Sequence, residues 1–138
     1  MIPVTRRSWL RRIAAALAGI GTLLVDAEPG LAQSCLDWRF CGHWGCRCTC
    51  RGGSDSTCPS GSTAGGAWYV CCRDTPGRYW LIRYRDCCRP LRPGESTCPS
   101  PFDGCPASCD CRRGNAQPSW CPTGTCVVCT QTQIWATC

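Results

Sequence analysis

Two segments in the middle of the chain have the residue types that are typical of β-strands. They cover residues 67–72 and 78–85, are rich in aromatic and β-branched side chains, and are separated by the sequence DTPG at 74–77. Proline followed by glycine is typical of a tight turn, so we predict a β-hairpin. A further short strand is predicted over 125–130.

Alternation along the first strand divides its side chains between two faces. One face carries Trp68, Val70 and Cys72, and the other carries Tyr69 and Cys71. The flanking regions, 35–58 and 89–138, contain many cysteines, glycines and prolines and have no helical periodicity. We therefore predict loops there, apart from the short strand near the C-terminus.

The N-terminal segment has the pattern of an export signal. An apolar run of 13 residues, 13–25, follows four arginines, and small residues follow it up to Ala32. The run is shorter than the roughly 20 residues that a membrane span needs. The adjacent Arg6 and Arg7, with Trp9 and Leu10 close behind, resemble a twin-arginine signal; an ordinary export signal or a membrane anchor is the alternative. We predict an export signal at 1–33, a mature domain at 34–138, a periplasmic location, and no membrane association after the signal is removed.

Cysteine content changes the expected basis of stability. All 18 cysteines follow the predicted signal, and Leu, Ile, Val and Phe are scarce. So many cysteines in a short exported chain are typical of a disulfide scaffold in an oxidising compartment. Disulfides then stabilise the fold by restricting the unfolded chain, because the aliphatic core is small. We predict a small, disulfide-rich domain made mostly of β-strands and loops.

The charge pattern argues against nucleic acid as a partner. All 15 basic residues are arginines, and the net charge is +6. Removal of residues 1–33 takes away four arginines and two acids, which leaves 11 arginines, 7 acids and a net charge of +4. The remaining arginines are scattered, whereas a nucleic-acid-binding surface needs clustered basic residues.

Familiar catalytic and metal-binding motifs are weak in this sequence. Cys126 and Cys129 form a C-x-x-C that stands alone, so neither a zinc finger nor a thioredoxin-like site is indicated. His43 is the one histidine and lies between glycine and tryptophan, a context more typical of packing or surface exposure than of catalysis. Asp86 ends a strand and precedes Cys87 and Cys88, where it could be a buried base. From position alone, a solvated Asp86 paired with Arg85 is the simpler interpretation.

Cysteine spacing points to a family. The spacing Cys35-x5-Cys41-x6-Cys48-x-Cys50-x7-Cys58 is followed by Trp68 four residues before Cys72, by Tyr84-Arg85-Asp86-Cys87-Cys88, by Trp120-Cys121 and by Cys129-Thr130. This order of motifs resembles the light chain of methylamine dehydrogenase, a quinoprotein amine dehydrogenase. The resemblance extends from about Cys35 to Thr130, and the motif at 84–88 is its most specific part.

The resemblance implies a site and a reaction. Trp68 and Trp120 would form the cofactor tryptophan tryptophylquinone, Asp86 would be the base that removes a proton from the amine substrate, and Thr130 would assist it by hydrogen bonding. The implied reaction oxidises a primary amine to an aldehyde and ammonia. The implied partners are a large β-propeller subunit, in a heterotetramer of two large and two small chains, and a periplasmic blue-copper protein that accepts electrons.

The resemblance also implies disulfides. It pairs Cys41 with Cys72, Cys48 with Cys129, Cys50 with Cys98, Cys58 with Cys87, and Cys88 with Cys121, and it pairs Cys35 with one cysteine of the 105–111 group. Six cysteines are left unassigned. They are Cys46, Cys71, Cys126, Cys138 and two of the group Cys105, Cys109 and Cys111.

Two positions depart from the family pattern. Trp44 stands where the family has a second active-site acid, and Val127 stands where it has an active-site tyrosine. These positions bear on cofactor maturation, proton relay and the substrate pocket. An amine dehydrogenase small subunit is therefore the first hypothesis. A divergent periplasmic binding or structural protein without the cofactor is the second, and a secreted cysteine-rich toxin or inhibitor is a weaker third.

Overall fold

The computed structural model describes residues 35–115 and 120–138 as a small domain of strands and loops. Its strands are β1 (Trp44–Cys46), β2 (Thr63–Arg73), β3 (Tyr79–Pro90), β4 (Asp110–Arg112) and β5 (Thr125–Thr137). Short 3₁₀ turns lie at Trp38–Phe40, Cys48–Cys50 and Ala107–Cys109. The predicted fold class is confirmed, whereas the predicted export signal at 1–33 lies outside the described residues. Within the described part of the chain, no helix has the length and apolar character of a membrane span.

A three-stranded antiparallel sheet forms the centre of the domain. The strand order is β2-β3-β5, so the central strand is β3. The predicted hairpin is confirmed, and the side chain of Asp74 closes its turn by accepting hydrogen bonds from the N–H groups of Gly77 and Arg78 at 2.9 and 2.7 Å. The strand predicted over 125–130 is also confirmed, but it continues to Thr137.

The two faces into which alternation divides β2 differ in burial. Trp68 and Cys72 are buried, whereas Tyr69 is exposed. On the inner face these two residues pack with Ile82 and Tyr84 of β3 in an apolar cluster. Hydrogen bonds of the Tyr84 hydroxyl extend this cluster to the loop before β1, because the hydroxyl donates to the carbonyl of residue 39 and accepts from the N–H of residue 42.

A second, two-stranded sheet lies beside the first. Its strands, β1 and β4, pair antiparallel, and a backbone bridge between Arg47 and Thr130 joins the end of β1 to β5. The sequence did not predict these strands, because each has only three residues, which are too few to show an alternation of apolar and polar side chains. This sheet is nevertheless important for the site, since it brings the chain near Trp44 against β5.

All 18 cysteines lie in the described residues, and they are joined in nine disulfides with no free thiol among them. Pairs that the resemblance implies are present as Cys41–Cys72, Cys48–Cys129, Cys58–Cys87, Cys88–Cys121 and Cys35–Cys111. The unassigned cysteines Cys46 and Cys71 pair with Cys105 and Cys138. The sulfurs of Cys48, Cys87 and Cys129 lie within 4.8 Å of one another. Because these sulfurs belong to two disulfides, they do not form a thiolate metal site.

One implied pairing is wrong. Cys50 is bonded to Cys109, and Cys98 is bonded to Cys126. The reason lies in the small sheet, because the Arg47 N–H donates to the Cys109 carbonyl at 2.9 Å and brings Cys109 against the turn that contains Cys50. The additional cysteines between residues 105 and 126 thus provide nearer partners for both Cys50 and Cys98.

The Cys71–Cys138 disulfide should stabilise the fold less than the length of the loop that it closes would suggest. Both residues are exposed, and Cys41–Cys72 and Cys48–Cys129 already restrict the same part of the chain. Replacement of Cys71 and Cys138 by Ser should lower the free energy of unfolding by about 2 kcal/mol, the low end of the usual range. Denaturant titration without reductant measures this loss. Replacement of the buried pair Cys48 and Cys129 by Ala is the comparison and should prevent folding; equal losses for the two pairs would contradict the prediction.

Candidate active site

Asp86 and Thr130 face each other across the ladder between β3 and β5. The Thr130 hydroxyl donates to Asp86 Oδ1 at 2.7 Å, and the backbone N–H of Trp120 lies 3.4 Å from Oδ2. Asp86 is 0% exposed, so its interpretation as a solvated residue paired with Arg85 is wrong. Alternation along β3 directs Arg85 away from Asp86, and the guanidinium of Arg85 donates to the carbonyl of Gly65 instead.

Burial gives Asp86 the character of a base. It raises the pKa of Asp86 to about 6, because a carboxylate loses solvation inside the domain. The hydrogen bonds from Thr130 and Trp120 favour the carboxylate and act in the opposite direction, but burial outweighs them. Among the described residues, no charged side chain contributes to this shift. A carboxylate with a pKa near 6 is ionised at neutral pH and is still basic enough to accept a proton.

Trp68 and Trp120 stack beside this carboxylate. Their ring centroids are 5.2 Å apart and their planes differ by 25°. Trp68 also stacks on Tyr84, at 5.7 Å, and its indole N–H donates to the carbonyl of Gly42 at 2.9 Å. Trp68 is therefore held by two rings and a hydrogen bond, whereas Trp120 is 41% exposed and forms the outer ring of the pair.

Gly65 and Gly66 allow the segment at Trp120 to reach the sheet. The Gly66 N–H donates to the Trp120 carbonyl at 2.8 Å. A Cβ at Gly65 would lie 2.6 Å from Cys88 Sγ and 2.8 Å from the Trp120 carbonyl oxygen, so any side chain there would displace this segment. The signal for this contact in the sequence is the pair of adjacent glycines inside a strand, which indicates a close approach of another backbone.

His43 is buried next to the backbone of Thr130. Its ring is fully buried, with Nε2 3.2 Å from the Thr130 carbonyl oxygen and its edge against Tyr84. Burial lowers the pKa of His43 to about 4, so the ring is neutral at physiological pH. His43 packs in the interior, and its ring approaches the Thr130 carbonyl and not the Asp86 carboxylate.

The two positions that depart from the family pattern lie near the same strands. The carbonyl of Trp44 is 3.1 Å from the Thr130 hydroxyl, and the Trp44 ring packs edge-on against Phe102. Val127 lies opposite Cys88 in the ladder and lines an open cavity of about 500 Å³ together with Cys121. Position 44 thus presents a backbone oxygen, and not an acidic side chain, to the candidate active site.

Comparison with known proteins identifies the family. The family model "Methylamine dehydrogenase, L chain" matches residues 29–121, about two thirds of the chain. The chain belongs to the methylamine dehydrogenase light-chain family. This confirms the resemblance that the cysteine and tryptophan spacing indicates.

Relatives of the light-chain family differ from this chain in length. The methylamine dehydrogenase light chain of Paracoccus denitrificans is 39% identical over 94 residues, which are 64% of this chain and 50% of the relative. The aralkylamine dehydrogenase light chain of Alcaligenes faecalis is 40% identical over 81 residues, which are 54% of this chain and 44% of the relative. The chain therefore spans about half the length of these curated relatives.

Solved structures of the family share the fold. A chain in the electron-transfer complex of aromatic amine dehydrogenase with azurin from Alcaligenes faecalis has a TM-score of 0.55 and 28% identity, and the match covers 76% of this chain and 95% of that chain. A structure of aromatic amine dehydrogenase with p-methoxyphenylethylamine has a TM-score of 0.57 and 27% identity, with 82% and 93% covered. These light-chain structures agree with the strand-rich, disulfide-bonded architecture described above.

Proposed function

We propose that this chain is the catalytic small subunit of a periplasmic, tryptophan tryptophylquinone-dependent amine dehydrogenase. It would oxidise a primary amine to an aldehyde and ammonia. The observation that carries the proposal is the stacked tryptophan pair, Trp68 and Trp120, in which the backbone N–H of Trp120 lies 3.4 Å from the buried carboxylate of Asp86. Membership of the light-chain family supports the same reaction class.

The residues present fit the cofactor that the family implies. Two tryptophans can be joined only where their rings are in contact, and Trp68 and Trp120 are stacked at 5.2 Å. The Trp68 ring is held by Tyr84 and by the Gly42 carbonyl, so its orientation is fixed before any modification. Once formed, the quinone supplies an electron acceptor for the amine.

Asp86 is suited to remove the proton on the carbon next to the amine nitrogen. Its carboxylate is ionised at neutral pH, is excluded from solvent, and is held at Oδ1 by the Thr130 hydroxyl. A base in this environment needs no reorganisation of water before it accepts a proton. Thr130 orients the carboxylate, and the backbone N–H of Trp120 keeps Oδ2 next to the tryptophan pair.

Electrons would leave the site through Trp120, because this ring is the exposed member of the pair. We propose a periplasmic blue-copper protein as the acceptor and a large β-propeller subunit as the structural partner, with two large and two small chains. The complex of a related dehydrogenase with azurin supports the choice of acceptor.

The mass of the native chain tests the proposed function. Protein purified from its own host, where the maturation enzymes are present, should carry two added oxygen atoms and have lost hydrogens through a Trp68–Trp120 cross-link. Its visible absorbance should be bleached by a primary amine. An unmodified mass would reject the enzyme and favour the alternative, a disulfide-rich periplasmic binding or structural protein without the cofactor, for which Trp44 and Val127 at family site positions are the supporting observation.

A further inference from the structure

The Thr130 hydroxyl lies between two acceptors. Its oxygen is 2.7 Å from Asp86 Oδ1 and 3.1 Å from the carbonyl oxygen of Trp44. A hydroxyl group has one hydrogen and can donate to one acceptor at a time, while its oxygen can also accept a hydrogen bond. The arrangement therefore offers Thr130 two alternative hydrogen-bonding states.

The two oxygens of Asp86 differ in what surrounds them. Oδ2 faces the N–H of Trp120, which is a donor and cannot accept a proton from a neutral carboxyl group. Oδ1 faces the Thr130 hydroxyl, whose oxygen can accept. When Asp86 carries a proton, that proton is therefore satisfied on Oδ1, provided that the Thr130 hydrogen turns away toward another acceptor.

We propose that the Thr130 hydroxyl is a two-position switch that serves both protonation states of Asp86, with the Trp44 carbonyl as its second acceptor. With Asp86 ionised, Thr130 donates to Oδ1. With Asp86 protonated, Oδ1–H donates to Thr130 Oγ1 and the Thr130 hydrogen points to the Trp44 carbonyl. Asp86 gains one proton, on Oδ1, between the first state and the second, while Thr130 keeps its own hydrogen, which changes only its direction. The inference rests on the proposed function for its catalytic meaning, because a base must be stable both before and after it accepts a proton.

Gly45 and the burial of the pair make the switch possible. A Cβ at Gly45 would collide with Thr130 Oγ1, so glycine at this position leaves room for the hydroxyl next to the Trp44 carbonyl. Thr130 and Asp86 are both shielded from water, so solvent does not replace either acceptor. At position 44 the chain thus contributes its backbone to the site.

The surroundings of Asp86 leave this hydroxyl as its main polar partner. Among the titratable or charged groups on the neighbouring elements, His43 and Arg47 flank β1, and Tyr84 and Arg85 precede Asp86 along β3. His43 approaches the Thr130 carbonyl, Arg47 pairs with Asp55, and Tyr84 binds backbone groups of the loop before β1. Arg85 donates to Gly65. Trp120 brings a backbone N–H and no charge.

Nuclear magnetic resonance on the isotope-labelled, disulfide-bonded chain from its native host tests the switch. The three-bond coupling between the Thr130 hydroxyl proton and Hβ reports the direction of the hydroxyl. We expect this coupling to change with pH at the same midpoint as the titration of the Asp86 carboxyl carbon. A coupling that stays constant while Asp86 titrates would overturn the proposal, because Thr130 would then be a fixed donor.

Variants give a second readout that does not need the hydroxyl signal. Loss of a fixed donor to the carboxylate would raise the Asp86 midpoint by about one pH unit or more. Loss of a switch removes a partner from both forms, so Thr130→Val should move the midpoint by less than about half a pH unit. Thr130→Ser should restore the coupling change, and Thr132→Val, at a buried threonine two residues along β5, is the matched control. These measurements do not depend on the quinone, so failure of the switch and absence of modified tryptophans are separate results.

Discussion

Replacement of Asp86 by Asn should nearly abolish amine oxidation while making the folded domain more stable. Positioned general bases contribute about a hundredfold to ten-thousandfold to rate, so we expect a loss in that range. The measurement is single-turnover reduction of the quinone by a primary amine, corrected for the unprotonated fraction of the amine. In the unsubstituted protein this corrected rate should fall as the pH drops through about 6, because Asp86 becomes protonated there.

The stability effect of Asp86→Asn follows from the direction of the pKa shift. Because the pKa of Asp86 is higher in the folded domain than its ordinary value of 3.8, its contribution to stability is greatest at low pH and is lost as the pH rises through about 6. At neutral pH the buried charge costs roughly 3 kcal/mol, and the amide removes this cost. Asp110→Asn, at a surface ion pair with Arg112, is the control and should change neither property appreciably. An Asp86→Asn protein that retained activity would exclude Asp86 as the base.

Replacement of Trp120 by Phe should prevent formation of the quinone while the fold persists. Trp120 is the outer ring of the pair and is 41% exposed, so its loss removes one stacking contact, worth about 1 kcal/mol beyond buried area. Without the second indole no cross-link can form. We therefore expect native-host Trp120→Phe protein to lack both the cross-linked mass and the absorbance that amine bleaches.

Trp135→Phe provides the matched control for this experiment. Trp135 is 51% exposed, lies on the outer side of the sheet against Tyr69 and Arg83, and has no ring contact with Trp68. It should carry the same modification as the unsubstituted chain. If Trp120→Phe protein still showed an amine-sensitive absorbance, the cofactor would have to be built from other residues.

Local sequence patterns predicted the central sheet well and its surroundings poorly. The hairpin and the division of the β2 side chains between two faces follow from a proline-glycine turn and from strand alternation, which are local properties. Strands β1 and β4 form because long-range disulfides and backbone pairing bring distant segments together, and no local pattern encodes that. The Cys50–Cys98 error has the same origin, since cysteine spacing does not show which segments pair in space.

The candidate site was predictable mainly through the family resemblance. Position alone favoured a solvated Asp86, although alternation along β3 already separates it from Arg85. The contact of Trp68 with Trp120 spans about fifty residues and depends on Gly65 and Gly66, whose role is visible only once the segments are assembled. The approach of the Trp44 carbonyl to the site could not be inferred from the sequence. The identity of residue 44 describes its side chain, whereas the contact with the site is made by the backbone oxygen that every residue has.

The disulfide connectivity has a topological consequence for damage to the protein. The Cys35–Cys111 and Cys71–Cys138 loops overlap, so every peptide bond between residues 35 and 138 lies inside at least one covalent ring. A protease that cuts once anywhere in this region releases no fragment. The two parts of a nicked chain stay joined by disulfides, so a single cleavage would leave the molecule in one piece until those disulfides are reduced.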